Sequence, residues 1–133
     1  MDYKKLFPIF ETHKEWAYLD SAATNQKPEK VIKAIDEYNR KFNASPNRGS
    51  YGISVEATCQ YNQAKGKVAK FIGAKNTEII FVKSSTEGLN LLANSFSYEM
   101  TKEDNILVGI TSHHSNIVTW KEVNRRTGAA LSY

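Results

Sequence analysis

Three short segments of this chain carry residue types that can do chemistry. The first is Ser84-Ser85-Thr86-Glu87-Gly88, where an apolar run gives way to a helical pattern. A helix start presents free N–H groups and a partial positive charge, which suits a phosphate, and two hydroxyls beside it add donors. The same residues equally suit plain capping by Ser85 or Thr86 with no ligand at all. The second segment is Thr111-Ser112-His113-His114-Ser115-Asn116. An imidazole after a strand can stack on a planar ring or move protons near neutral pH, although adjacent histidines in a loop are commonly surface polar residues. The third is Leu19-Asp20-Ser21-Ala22-Ala23-Thr24, whose small side chains permit close approach of a ligand and equally suit a tight loop.

Other chemistries are excluded or weak. Cys59 is the one cysteine, so no disulfide forms within the chain, and its place off the main apolar stripe of its helix reads as a small packing residue. His13, His113 and His114 lack metal-ligand spacing. The 18 basic and 14 acidic residues give a net charge of +4, but they intermingle and no nucleic-acid motif accompanies them. A solvated surface is the plain reading, with a modest field that favours an anionic ligand. No apolar run reaches the roughly 20 residues of a membrane span, and the N-terminus lacks a signal-peptide pattern, so the expected compartment is the cytoplasm.

The elements that must position these segments follow from periodicity. Residues 16–19 (WAYL) read as a strand. Pro28 opens a helix to about Lys41, with Val31, Ile35, Tyr38 and Phe42 on one face. Residues 43–52 hold Pro46, Gly49 and Gly52 without periodicity and read as a loop. Ser54 caps a second helix, striped by Ala57, Tyr61, Ala64, Val68 and Phe71 and stopped by Gly73. Residues 78–82 (EIIFV) and 106–110 (ILVGI) read as strands buried on both faces. A third helix follows Lys83–Thr86, striped by Leu89, Leu92 and Phe96. A fourth runs from about Asn116 to Thr127 and stops at Gly128, and residues 129–133 begin another strand. Strands alternating with helices imply an α/β fold with a mainly parallel sheet. A strand with nothing after it is an unusual place for a domain to stop, which points to a longer protein.

Taken in order, YLDSAAT (18–24), QKP (26–28), NRG (47–49), EIIFVKSSTEGLN (78–90) and SHHSNIV (112–118) resemble the fold-type I pyridoxal-phosphate (PLP) enzymes of the class V aminotransferase group. The string is most similar to the group II cysteine desulfurases of iron–sulfur cluster assembly. The resemblance implies that the chain is the N-terminal portion of the large PLP-binding domain. Residues 1–52 would form an arm, a helix and an active-site-edge loop, and residues 53–133 the first half of the α/β domain. It implies that Ser85 and Thr86 hold the cofactor phosphate and that His113 stacks on the pyridine ring and takes part in proton transfer. Ala22, Ala23, Asn116 and Arg48 fall on the substrate side, with Arg48 and Gly49 in a loop near a partner subunit.

The same resemblance implies a homodimer that converts L-cysteine to L-alanine, with the sulfur left as an enzyme persulfide for an acceptor or scaffold protein. Neither a nucleic acid nor a membrane is an expected partner. The family usually has histidines where this chain has Asn47 and Tyr51, and Gly-Thr where it has Ser84-Ser85. The family's covalent lysine, the aspartate beneath the pyridine nitrogen, the sulfur-accepting cysteine and the carboxylate-binding arginine all lie beyond residue 133. The 133 residues alone are therefore expected to be inactive. Two other readings are a different enzyme of the group, such as a selenocysteine lyase or an epimerase-like member, and a non-catalytic interaction module.

Overall fold

The computed structural model describes residues 2–133, which divide into one unit through Ile79 and a second from Ile80 to Tyr133. In the first unit a 3-10 turn, Tyr3–Leu6, precedes α1 (Ile9–Thr12), which follows Pro8. Helix α2 spans Glu29–Lys41 with Pro28 at its N-cap, one residue before the position where proline is most at home. Its exposed face carries the ion pairs Lys33–Glu29, Arg40–Asp36 and Lys41–Glu37, all four residues apart. Such pairs support a helix by only about 0.2–0.5 kcal/mol each.

Helix α3 spans Gly52–Ile72 and ends where Gly73 takes a left-handed φ of 73°. The expected apolar stripe is only partly covered. Ala57 is buried, whereas Phe71 is 90% exposed. Ser54 does not cap this helix, because Tyr51 occupies the N-cap and makes no side-chain cap bond. Ser54 instead lies inside the first turn, fully buried, with its Oγ donating to the Ser45 carbonyl at 3.0 Å. Thr58 Oγ1 donates to the Ser54 carbonyl at 2.7 Å and accepts from the Asn47 amide at 2.9 Å. These bonds pin the 43–51 loop along α3.

The second unit is a β-α-β element with one further helix. Helix α4 (Ser85–Ser97) precedes β1 (Asn105–Leu107), α5 (His114–Thr127) and β2 (Ala130–Ser132). The two strands pair in parallel, Ile106 opposite Leu131, and the ladder extends through Val108 N–H to the Ser132 carbonyl at 2.9 Å. Ala93, Ile106, Val108, Val123 and Ala129 form the core, with Ile117, Trp120, Met100 and Leu131 packed around it. Gly128 stops α5 with φ 78°. Arg126 Nη2 donates to Asn94 Oδ1 at 2.9 Å and joins the C-terminal halves of α5 and α4.

The strands are where expectation and structure part. Residues 16–19 are not a strand, and 78–82 are a 3-10 turn (Asn76–Glu78) followed by irregular chain. The run 106–110 shortens to Asn105–Leu107, with Ile106 buried and Leu107 78% exposed, so it is covered on one face rather than two. Helix α5 starts two residues before the expected Asn116. β-Branched and aromatic content favours an extended chain, but a strand exists only where a neighbour supplies the ladder. Among the described residues that neighbour exists for 105–107 and 130–132 alone. No helix among the described residues is long and apolar enough to cross a membrane.

The glycines allow a direct check on α3. A methyl group at Gly66 meets nothing within 4 Å, and the same holds at Gly73, yet only Gly73 has a positive φ. Gly66→Ala should therefore strengthen the helix by about 0.8–1.0 kcal/mol. Gly73→Ala should weaken its last turn by roughly 1–2 kcal/mol. Amide exchange within α3 should slow about fivefold in the first variant and speed up near the C-terminus in the second.

Candidate active site

Ser84, not Ser85 or Thr86, caps α4. Its Oγ accepts from the Glu87 amide at 3.2 Å, and the Glu87 carboxylate accepts in return from the Lys83 amide. The arrangement is close to a capping box, displaced by one residue on the return bond. It leaves the next two residues unspent. The Ser85 and Thr86 amides have no intrahelical acceptor at the helix start. Their hydroxyls make no hydrogen bond among the described residues. Two N–H groups and two hydroxyls thus remain open at the positive end of a helix dipole.

His113 caps α5. Its imidazole Nδ1 accepts from the Ser115 amide at 3.2 Å, and the Ser115 hydroxyl lies 2.8 Å from the same nitrogen. Further along the helix, Trp120 Nε1 donates to Asn116 Oδ1 at 2.9 Å and Thr119 Oγ1 to the Ser115 carbonyl at 2.7 Å. Asn116 is therefore tied into its own helix through its side-chain oxygen.

The two helix starts meet in one cleft of about 500 Å³, lined by Thr86 and Asn90 of α4 and by His113, His114, Ser115, Val118, Thr119 and Glu122. With Arg126 bonded to Asn94 at the far ends, α4 and α5 run in the same direction. Both dipoles place their positive ends at Thr86 and His113. Glu122 sits at the other end of the groove. Its carboxyl is held below the usual carboxylate range by a hydrogen bond from Arg125, with slight burial opposing and the Arg125 and Arg126 charges assisting. The anion-favouring end and the carboxylate end of the groove are thus separated along the helices.

His114, to which the resemblance assigns no role, lines the cleft beside His113. Asn90, Thr119 and Glu122 were not anticipated either. Their signal in the sequence is the helical spacing from Thr86 and Ser115, which puts them on the same faces. Ser85 is exposed and is not among the cleft-lining residues.

The substrate-side candidates Ala22, Ala23 and Arg48 belong to the first unit and are exposed. Ala22 and Ala23 sit in a turn closed by bonds from the Ala23 and Thr24 amides to the Asp20 carbonyl, at 3.2 and 3.1 Å. The Tyr18 hydroxyl contacts the Thr24 and Asp20 carbonyls at 2.6 and 3.1 Å and holds the loop from one side. Arg48 makes no ion pair among the described residues. Asn47 has φ 60°, and Gly49 lies under Tyr51, since a methyl there would stand 2.6 Å from its ring. Cys59 is not a packing residue. It is exposed, accepts from Gln63 Nε2 at 3.2 Å, and lines a second cleft with Asn47, Gly49 and Thr58. No group of three potential metal ligands occurs among the described residues.

Residues 17–133 match the aminotransferase class-V family, and the chain belongs to it. Among curated relatives, a probable cysteine desulfurase of Halalkalibacterium halodurans is 42% identical over 99% of this chain and 34% of its own length. One from Vibrio cholerae is 47% identical over 86% of this chain and 29% of its own. An apo cysteine desulfurase from Thermococcus onnurineus superposes with a TM-score of 0.91 at 35% identity, over 99% of this chain and 32% of that one. The cysteine desulfurase CsdA of Escherichia coli gives 0.80 at 30% identity, over 97% and 32%. The chain spans about a third of the length of the curated relatives it matches. The α/β fold with a parallel sheet, expected from the alternation of elements, is the fold of these neighbours.

The cap assignment is testable without any ligand. Ser84→Ala should cost about 1 kcal/mol of local stability, while Ser85→Ala and Thr86→Ala should cost far less. Amide exchange in the first turns of α4 reads the difference.

Proposed function

We propose that the whole protein is a PLP-dependent cysteine desulfurase. It would remove sulfur from L-cysteine to leave L-alanine, with the sulfur held as an enzyme persulfide for iron–sulfur cluster assembly. The observation that carries this reading is the cleft in which the open start of α4 meets the imidazole at the start of α5. The residues fit PLP. A volume of about 500 Å³ is in the range of small-ligand sites. Thr86 on the cleft wall, with the neighbouring Ser85 at the same helix start, offers amides and hydroxyls that suit its phosphate, and His113 is the group across from them able to stack on a ring and carry a proton. When bound, PLP supplies the electron sink, and the protein supplies orientation and acid–base groups.

In this reading Ser85, Thr86 and His113 bind the cofactor, His113 is catalytic, and Ala22, Ala23, Arg48 and Asn116 lie on the substrate side. Residues 1–52 form the arm and edge loop, and 53–133 the first half of the large domain. No lysine lines the cleft, so the covalent lysine comes from another part of the protein. A cytoplasmic homodimer acting on L-cysteine, with a sulfur acceptor or scaffold protein as partner, completes the proposal. The names and structures of the relatives support it.

Alanine and sulfide released from cysteine by the full-length protein with PLP and a thiol reductant would establish the activity. Release from selenocysteine alone would replace it with a lyase of the same group. Replacing both hydroxyls, Ser85→Ala with Thr86→Ala, should weaken PLP binding at least tenfold in a titration of the apoprotein, because bonds to a charged phosphate are worth about 1.5–3 kcal/mol each. Unchanged affinity would remove the phosphate role. His113→Ala should lower kcat by about 10²–10⁴. His114→Ala should lower it far less, since His114 makes no hydrogen bond among the described residues.

A further inference from the structure

The first turn of α5 contains a pair of contacts that the roles above do not use. His113 Nδ1 faces two donors from one residue, the Ser115 amide at 3.2 Å and the Ser115 hydroxyl at 2.8 Å. A backbone amide only donates, so Nδ1 carries no proton, and in the neutral ring the proton sits on Nε2. The hydroxyl then also donates to Nδ1, and at 2.8 Å it is the shorter contact. Nε2 makes no hydrogen bond among the described residues, so it is the ring nitrogen left to meet a ligand in the cleft.

An ordinary N-cap would be served as well by Ser, Thr, Asp or Asn. An imidazole does something those side chains cannot. It caps the helix with one edge and leaves a second, opposite nitrogen outward with its protonation set by the first. The partner on the inner nitrogen determines which tautomer the outer one presents, as it does for histidines that bind metals.

We propose that Ser115 is a positioning residue for His113. Its amide and hydroxyl hold the imidazole through Nδ1 as the Nε2–H tautomer, so that the cleft meets a fixed donor at Nε2. The proposal rests on the reading of His113 as the group beside the cofactor ring, and it adds the residue that sets that group's tautomer and orientation. The amide at 3.2 Å selects the tautomer, but a single long contact holds the ring loosely. A ring held also by the hydroxyl returns to the same state after each proton transfer.

The test uses the full-length protein loaded with PLP and ring-labelled with nitrogen-15 histidine, the His113 signals being assigned by their loss in His113→Asn. The wild type should show the Nε2–H pattern. Ser115→Ala keeps the amide and removes the hydroxyl. It should leave the proton on Nε2, because the amide remains, but move the Nδ1 signal as one of its two donors is lost, displace the pH profile of kcat, and lower kcat roughly 3- to 10-fold with little change in KM. Ser115→Thr should restore all three. His113→Asn, which retains a cap acceptor, should keep the thermal stability and lose the turnover. A wild-type ring protonated at Nδ1 would overturn the proposal, as would nitrogen shifts and a pH profile in Ser115→Ala identical to the wild type. Wild-type protein whose nitrogen shifts are as expected and change in Ser115→Ala, yet which releases no sulfur from cysteine, would support the tautomer lock and overturn the desulfurase reading.

Discussion

A parallel ladder cannot be closed by a tight turn. Its second strand must be reached by a crossover that carries the chain back past the first. Here that crossover is α5, and the ladder it completes joins Asn105–Leu107 to Ala130–Ser132. The constraint sets much of the geometry of the second unit. The helix has to begin just beyond the C-terminal end of β1, which is where ligands bind in open parallel sheets. His113 is the residue at which it begins. Val123, fully buried, seats the helix against Ile106, Val108 and Ala129, so the start of α5 is fixed by the core behind it rather than by its own loop.

The second consequence is the pairing of two helix dipoles. The Arg126–Asn94 bond ties the C-terminal halves of α4 and α5, and the cleft joins their starts. Each start is capped economically. Ser84 and Glu87 satisfy the donors that would otherwise compete for a ligand, while the Ser85 and Thr86 amides and hydroxyls stay open. At α5 the cap is His113, the side chain proposed to meet the cofactor. Capping therefore uses different atoms from those left open at α4, and one edge of the ring at α5, leaving the other edge open.

The first unit is held by a different device. The 43–51 loop has no regular structure, yet Ser54 is fully buried and passes a chain of bonds from Ser45 through Thr58 to Asn47. A loop that must keep its shape without a ladder needs side chains from a rigid helix, and α3 provides them from two positions one turn apart. Tyr18 does the same for the turn that carries Ala22 and Ala23, through two carbonyl contacts from one hydroxyl.

Helices α2 to α5 were legible in the sequence because their signals are local. Pro28 before α2, Gly73 after α3 and Gly128 after α5 act through the backbone of their own residue, and the observed ends fall where they stand. The family was legible too, since the ordered segments 18–24, 47–49, 78–90 and 112–118 keep their spacing whatever the chain does between them. Only two of the four expected strands were, as Asn105–Leu107 and Ala130–Ser132. Residues 16–19 and 78–82 have the composition of strands, but a ladder requires a partner distant in sequence, and composition says nothing about where that partner is. Nor did three consecutive hydroxyls, Ser84-Ser85-Thr86, reveal which one caps. That depends on which residue keeps an extended backbone, here Ser84 with φ −161° and ψ 165°, and only the packed helix decides it. The tertiary structure likewise brought Asn90, Thr119 and Glu122 to the cleft, because two helix faces become one site only when a core holds the helices side by side.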